Sequence, residues 1–271
     1  MDRNRITNVR KGWLYGLDQL RYLSLSSNRI DFIASDGWDP LKKLEELDLR
    51  SNKLQLLDRE SLCSLPELRF LYLQDNKISH IDGEEGDDRY CSSRTFGDVP
   101  LLEELYLDGN EISHTIEVII IFIFYRFLLK LLIFFNHKCW IFNIMKEIKF
   151  SLQDMNAPFK GLKYLRTLSL SRNKIKLIGE HAFSGGLHGL EEIDVRENFG
   201  LSTVQENAFE NLPKLRTINL DSESMLCDCY LKWFPRWLNG TAVQGSGFAK
   251  CAHPENLKGE INHRTIKKSL S

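Results

Sequence analysis

The sequence predicts an α/β fold: a curved solenoid of stacked turns with a parallel sheet on its concave face and a cysteine-bearing cap at its carboxy-terminal end. Three observations predict it. The first is a phrase that reads Leu20-Arg21-Tyr22-Leu23-Ser24-Leu25-Ser26-Ser27-Asn28-Arg29-Ile30 and returns along the chain. It recurs with Leu44, Leu47, Leu49, Asn52 and Leu54, and with Leu68, Leu71, Leu73, Asn76 and Ile78. Further copies carry Leu102, Leu105, Leu107, Asn110 and Ile112, then Leu165, Leu168, Leu170, Asn173 and Ile175. A sixth has Leu190, Ile193, Val195, Asn198 and Leu201, and a decayed seventh has Leu215, Ile218 and Leu220. The second observation is the period: Asn28, Asn52 and Asn76 stand 24 residues apart, and Asn173 and Asn198 stand 25 apart. The third is a C-x-C pair, Cys227 and Cys229, followed by an aromatic stretch directly after the last copy.

This is the leucine-rich repeat signature, and its spacing has a mechanical reading. The L-x-L alternation makes a short strand with its leucines on one side. A strand that short cannot bury itself, so neighbours stack into a sheet. A buried backbone group without a partner costs about 1–3 kcal/mol. The recurring asparagine is expected to satisfy such groups where each strand turns away, a structural role rather than a binding one.

Residues 1–117 hold the first repeats. Asn4-Arg5-Ile6 reads as the back half of a repeat, because Asn4 precedes Asn28 by 24 residues. The expectation is an incomplete gene product, so the missing leader sequence says little about compartment. Between strands, Trp13, Trp38, Leu62, Phe96, Phe159, Phe183 and Phe209 recur at one position of the return segment. They are expected to form a packing spine on the convex side rather than a cofactor platform. Asn76 to Asn110 is longer than one period, the surplus falling in the acidic run Asp82 to Cys91. Its carboxylates do not alternate as a calcium cage requires, which predicts a solvated loop.

Residues 118–153, from Val118 to Gln153, interrupt the array with a run rich in Phe, Ile, Leu, Lys and Asn. A membrane span needs about 20 mostly apolar residues, and Arg126 and Lys130 fall mid-run. Each would cost about 2.5–3.5 kcal/mol at a helix centre, and a span would cut one sheet in two. An apolar insertion in the solenoid would leave a very large exposed patch. A translated intron accounts for more: the composition is that of AT-rich DNA, Val118 suits a donor dinucleotide, and Phe150-Ser151-Leu152-Gln153 suits an acceptor. Removing the run brings Asn110 and Asn173 to nearly one period apart and joins Glu117 to Asp154. Residues 154–224 then resume the repeats.

Residues 225–271 form the cap. Cys227-Asp228-Cys229 leads into Trp233-Phe234-Pro235-Arg236-Trp237, and Cys251-Ala252-His253-Pro254 follows. Cys227, Cys229, Cys251 and His253 could be written as zinc ligands, but C-x-C is a tight spacing for chelation and the aromatics suit a cover for the last repeat. Asn239-Gly240-Thr241 is a glycosylation sequon.

The cap block, together with Asn110-Glu111-Ile112-Ser113, the restored Thr-Ile-Glu/Asp-Met junction, Trp13-Leu14-Tyr15-Gly16-Leu17 and Gly37-Trp38, resembles the leucine-rich repeat and immunoglobulin-like domain family. The resemblance implies a disulfide between Cys227 and Cys251 and leaves Cys229 without its fourth cysteine. Such a cap belongs to an oxidising, extracellular compartment. Members are single-pass membrane proteins regarded as modulators of growth-factor receptor signalling through protein contacts. The resemblance therefore implies a cell-surface product, membrane-anchored at full length, that binds a protein ligand or receptor ectodomain. A secreted matrix protein with a structural or adhesive role is the alternative.

Other classes fare poorly. A net charge of −1 gives no broad argument for nucleic acid, and the basic tail Arg264–Lys268 is short enough to be merely solvated. No nucleophile elbow, phosphate loop or zinc-protease motif appears, so neither catalysis nor a cofactor, metal or small-molecule substrate is expected. The outward strand positions are the candidate contact surface, chief among them Asp48, Tyr72, Glu104, Tyr106 and Asp108. Tyr72 and Tyr106 fall in one column of adjacent strands, a composition enriched in interface hot spots.

Overall fold

The structure, a computed structural model, describes residues 1–58, 60–81, 95–113, 159–180, 182–227, 231–245, 250–253 and 258–260. The acidic run after Ile81, the run 118–153 and Cys229 lie outside the described residues, as does the side chain of Asn239. In chain order the elements are β1 (Asn8–Val9), β2 (Tyr22–Ser24), β3 (Phe32–Ile33), β4 (Glu46–Asp48), β5 (Leu56–Leu57), β6 (Phe70–Tyr72), β7 (His80–Ile81) and β8 (Glu104–Tyr106). After them come β9 (Thr167–Ser169), β10 (Leu177–Ile178), β11 (Glu192–Asp194), β12 (Thr203–Val204), β13 (Thr217–Asn219) and β14 (Met225–Leu226). The cap adds helix α1 (Trp233–Gly240), β15 (Gln244–Gly245), β16 (Lys250–His253) and β17 (Gly259–Glu260).

Each leucine phrase gives one strand of an eight-stranded sheet ordered β15-β13-β11-β9-β8-β6-β4-β2. Its strands pair parallel and in register, with Leu23, Leu47, Leu71, Leu105, Leu168, Ile193 and Ile218 aligned in one buried row. The decayed seventh phrase pairs as β13 like the rest. A period of 24 residues leaves little chain for the return arm. Among the described residues that arm runs as turns, short outer strand pairs (β1 with β3, β5 with β7, β10 with β12) and one 3-10 turn at Glu60–Leu62.

Two internal ladders join the turns. Asn52 Nδ2 donates to the carbonyls of Leu49 and Leu25, both at 3.0 Å, while its Oδ1 accepts from the Ile30 amide at 2.9 Å. Asn76, Asn110, Asn173 and Asn198 repeat the pattern. The residue just before the asparagine takes a left-handed conformation in Ser27, Ser51, Asp75, Arg172 and Glu197, with φ of 52–56°. Gly109 holds the same place with φ 67°, and a Cβ there would meet Asp75 Oδ1 at 2.4 Å. On the convex side Phe96, Phe159, Phe183 and Phe209 stack in succession with centroids 5.7–6.5 Å apart. Trp38, fully buried, continues the spine and donates its Nε1 to the Ser61 carbonyl at 2.9 Å.

The sheet passes directly from β8 to β9 although residues 107–166, the interrupted stretch among them, separate Tyr106 from Thr167 in the sequence. Asn173 reaches back to the Leu107 carbonyl, and Phe96 stacks on Phe159 across the same junction.

A third column runs along the concave margin, at the residue following the first leucine of each phrase. It reads Arg21, Glu45, Arg69, Glu103, Arg166, Glu191, Arg216. Arg21 pairs with Glu45 at 2.8 Å and Arg69 with Glu103 at 2.5 Å, and Arg166 approaches Glu103 at 4.0 Å.

The cap covers the open end of the spine. Phe209 packs on Trp233, Phe234 and Trp237 of α1, with centroids 5.4–6.4 Å away. After the helix, β15 returns to the concave sheet and pairs with β13. Cys227 and Cys251 are joined by a disulfide, their Cα atoms 5.5 Å apart, where β16 pairs with β14. That bond takes both sulfurs away from the zinc reading. Cys63 is disulfide-bonded as well, which the sequence reading did not anticipate.

Candidate protein-interaction face

Among the described residues the concave sheet presents side chains in regular columns. Strand period 2 turns Glu46 and Asp48 of β4, Phe70 and Tyr72 of β6, and Glu104 and Tyr106 of β8 in alternation about the buried leucines. In register, Asp48, Tyr72, Tyr106 and Ser169 form one column, and Glu46, Phe70, Glu104 and Thr167 form the next.

The two tyrosines stack, with ring centroids 5.4 Å apart and planes within 7°. Tyr106 donates its hydroxyl to Glu104 Oε2 at 2.8 Å. Arg50 lies over the Tyr72 ring, its Cζ 5.4 Å from the centroid. Burial pushes the Tyr106 phenol well above the ordinary range, reinforced by the bond to Glu104. Burial, then Glu46, raises Tyr72 in the same direction. Both rings therefore stay neutral at physiological pH, a wide aromatic surface edged with carboxylate.

Asp48 and Asp108 play a different part from the one their outward positions suggest. Asp48 is 2% exposed and accepts from Arg50 Nε at 3.0 Å and from its terminal nitrogen at 2.6 Å. This fork raises the Arg50 pKa and fixes the guanidinium over Tyr72. Asp108, also buried, accepts from the hydroxyl groups of Ser169 and Ser171 on the next turn. The two aspartates orient neighbours, while Tyr72, Glu104 and Tyr106 remain half-exposed. The same fork recurs at Asp194 and Arg196. Its signal is legible as D-x-R at both places, since residues two apart on a strand share a face.

Among the described residues no group of His, Cys, Asp and Glu is arranged to hold a metal ion, and no helix is long and apolar enough to cross a membrane. The cap bears the sequon residue Asn239 within α1.

A curved parallel sheet of aligned leucines, locked by an asparagine ladder, defines a class. The chain belongs to the leucine rich repeat family, whose profile matches residues 1–54, 38–78 and 163–225. Among curated proteins it is similar to human leucine-rich repeats and immunoglobulin-like domains protein 1, at 38% identity over 110 residues, or 41% of this chain and 10% of that protein. Human leucine-rich repeats and immunoglobulin-like domains protein 3 is 36% identical over 109 residues, covering 40% of this chain and 10% of that protein. Human leucine-rich repeat-containing protein 3B is 42% identical over 77 residues, covering 28% of this chain and 29% of that protein. The matched region thus spans about a tenth of the first two relatives. Among solved structures, TLR13 in its complex with ssRNA13 superposes with a TM-score of 0.54 at 18% identity, covering 94% of this chain and 37% of that one. At that identity the likeness shows the fold alone.

Proposed function

We propose that the chain is an extracellular protein-binding module whose concave sheet engages a protein ligand or receptor ectodomain. In this reading it forms part of a membrane-anchored, cell-surface modulator of growth-factor receptor signalling. The observation that carries it is the stacked, half-exposed pair Tyr72 and Tyr106 in the middle of an open sheet. Rigid tyrosines beside charge are the composition of interface hot spots. Similarity to the leucine-rich repeats and immunoglobulin-like domains proteins supports the cell-surface setting. So do the disulfide-bonded Cys63, Cys227 and Cys251, since such bonds persist in oxidising compartments. Asn239 is the proposed glycan acceptor.

The test uses the chain secreted from a mammalian host and immobilised against a panel of growth-factor receptor ectodomains and matrix proteins. Binding to a receptor ectodomain is expected, with Tyr72→Ala plus Tyr106→Ala weakening it about thirtyfold or more while the thermal melt is kept. Binding to fibrillar collagen alone would favour a secreted matrix protein instead. Receptor binding that ignores both tyrosines would move the contact off this face.

A further inference from the structure

The tyrosine stack has two ends, and the chain covers them differently. Strands β4 and β8 flank β6, so Arg50 and Tyr106 approach Tyr72 from opposite sides. One end of the stack is thus closed by a guanidinium held in place by Asp48. The other end is the face of Tyr106 that turns towards β9. There the register places Thr167 and Ser169, short side chains, opposite Glu104 and Tyr106. Beyond them β11 supplies Glu192 and Asp194.

The result is a notch about 9–10 Å wide, two strand spacings, with the Tyr106 ring as one wall. Thr167 and Ser169 form its floor, and the carboxylates of β11 form the far wall. Among the described residues no cation lies over Tyr106, and the guanidinium of Arg196 is taken by Asp194. From β4 to β11 the outward columns carry Glu46, Asp48, Glu104, Asp108, Glu192 and Asp194 against Arg50 and Arg196. The face is acidic: with Asp48 and Asp194 taken by these arginines, Glu46, Glu104, Asp108 and Glu192 are in excess. Of these Glu104 and Glu192 border the notch, Glu104 accepting from the Tyr106 hydroxyl and Glu192 from Asn219 Nδ2 at 3.0 Å. The charge of Glu192 is felt at the Tyr106 ring.

We infer that this notch receives an arginine side chain from a basic segment of the protein partner, its guanidinium stacked on the open face of Tyr106 between Glu104 and Glu192. The chain already shows the same contact once, in Arg50 over Tyr72. A planar guanidinium suits the site better than an ammonium, because it can stack on a ring and donate to carboxylates in the same plane. The inference rests on the concave sheet being the binding face and adds the chemistry of what sits there.

The probe is a fluorescent nona-arginine peptide compared with nona-lysine, followed by anisotropy on the full chain at about 150 mM salt, where long-range attraction is screened. The arginine peptide is expected to bind more tightly. Tyr106→Ala is expected to weaken it about fivefold, the worth of one cation–π contact. Thr167→Arg, which fills the notch from within, should do the same without touching a buried residue. Should Tyr106→Ala melt early, Thr167→Arg decides alone. Equal affinity for the two peptides, or an arginine peptide indifferent to Thr167→Arg, overturns the inference. A receptor ectodomain that loses binding on Tyr72→Ala yet ignores Thr167→Arg also overturns it, while leaving the concave face as the binding surface.

Discussion

A single buried asparagine here does the work of three backbone partners. Asn52 serves the Ile30 amide and the Leu25 and Leu49 carbonyls, so it belongs to two turns at once. Asn52→Ala leaves all three short of a partner in a place water does not reach. The expected cost is about 3 kcal/mol or more, measured by urea unfolding. A loss below about 1 kcal/mol would show that the neighbouring turns close the gap by themselves. The role of these asparagines was legible, because spacing alone distinguishes them from other polar residues. The left-handed residue before each was not. Only Gly109 marks that position with the residue type that favours it, whereas Ser27, Ser51, Asp75, Arg172 and Glu197 adopt it against the usual steric cost. The ladder itself holds them there. Asp48 and Asp108 were misjudged for a related reason: facing outward is set by strand period, but availability is set by neighbours on other turns.

Among elements, the cap is where resemblance carried more than pattern could. Its aromatic cover over the last repeat was legible from the run after Cys229, and the bond between Cys227 and Cys251 followed from the resemblance. That the chain then adds β15 to the concave sheet was not legible, since Gln244-Gly245 shows neither alternation nor β-branched residues. The disulfide closes a loop with a sequence separation of 24 that contains the whole of α1, and α1 covers Phe209. Replacing both cysteines, Cys227→Ser with Cys251→Ser, should cost about 3 kcal/mol through the freed loop. The loss should be local, as expected for an array held by contacts between neighbours. Hydrogen exchange is expected to quicken at β14 and β16 and to stay unchanged at β4 and β6. Uniform quickening along the sheet would instead mean that the cap holds up the whole array.

At the scale of the molecule, the junction of β8 and β9 is as complete as any other. The strands pair in register, Asn173 bonds to the Leu107 carbonyl, Phe96 meets Phe159 and Asp108 holds Ser169 and Ser171. We propose that residues 118–153 are a translated intron. A chain lacking Val118–Gln153 is expected to be soluble and to unfold cooperatively, whereas the intact chain exposes apolar surface and aggregates at equal concentration. Light scattering after size exclusion separates the two, and the reverse result would make the segment part of the fold. The leucine period made the turns legible but was silent on the margin of the sheet, where Arg21, Glu45, Arg69, Glu103, Arg166, Glu191 and Arg216 alternate in sign. That alternation gives the array a parity. Excising one interior turn sets arginine beside arginine or glutamate beside glutamate, and like charges on neighbouring turns repel. Excising two adjacent turns restores the order, so in the interior of this margin turns can be gained or lost without electrical conflict only in even numbers.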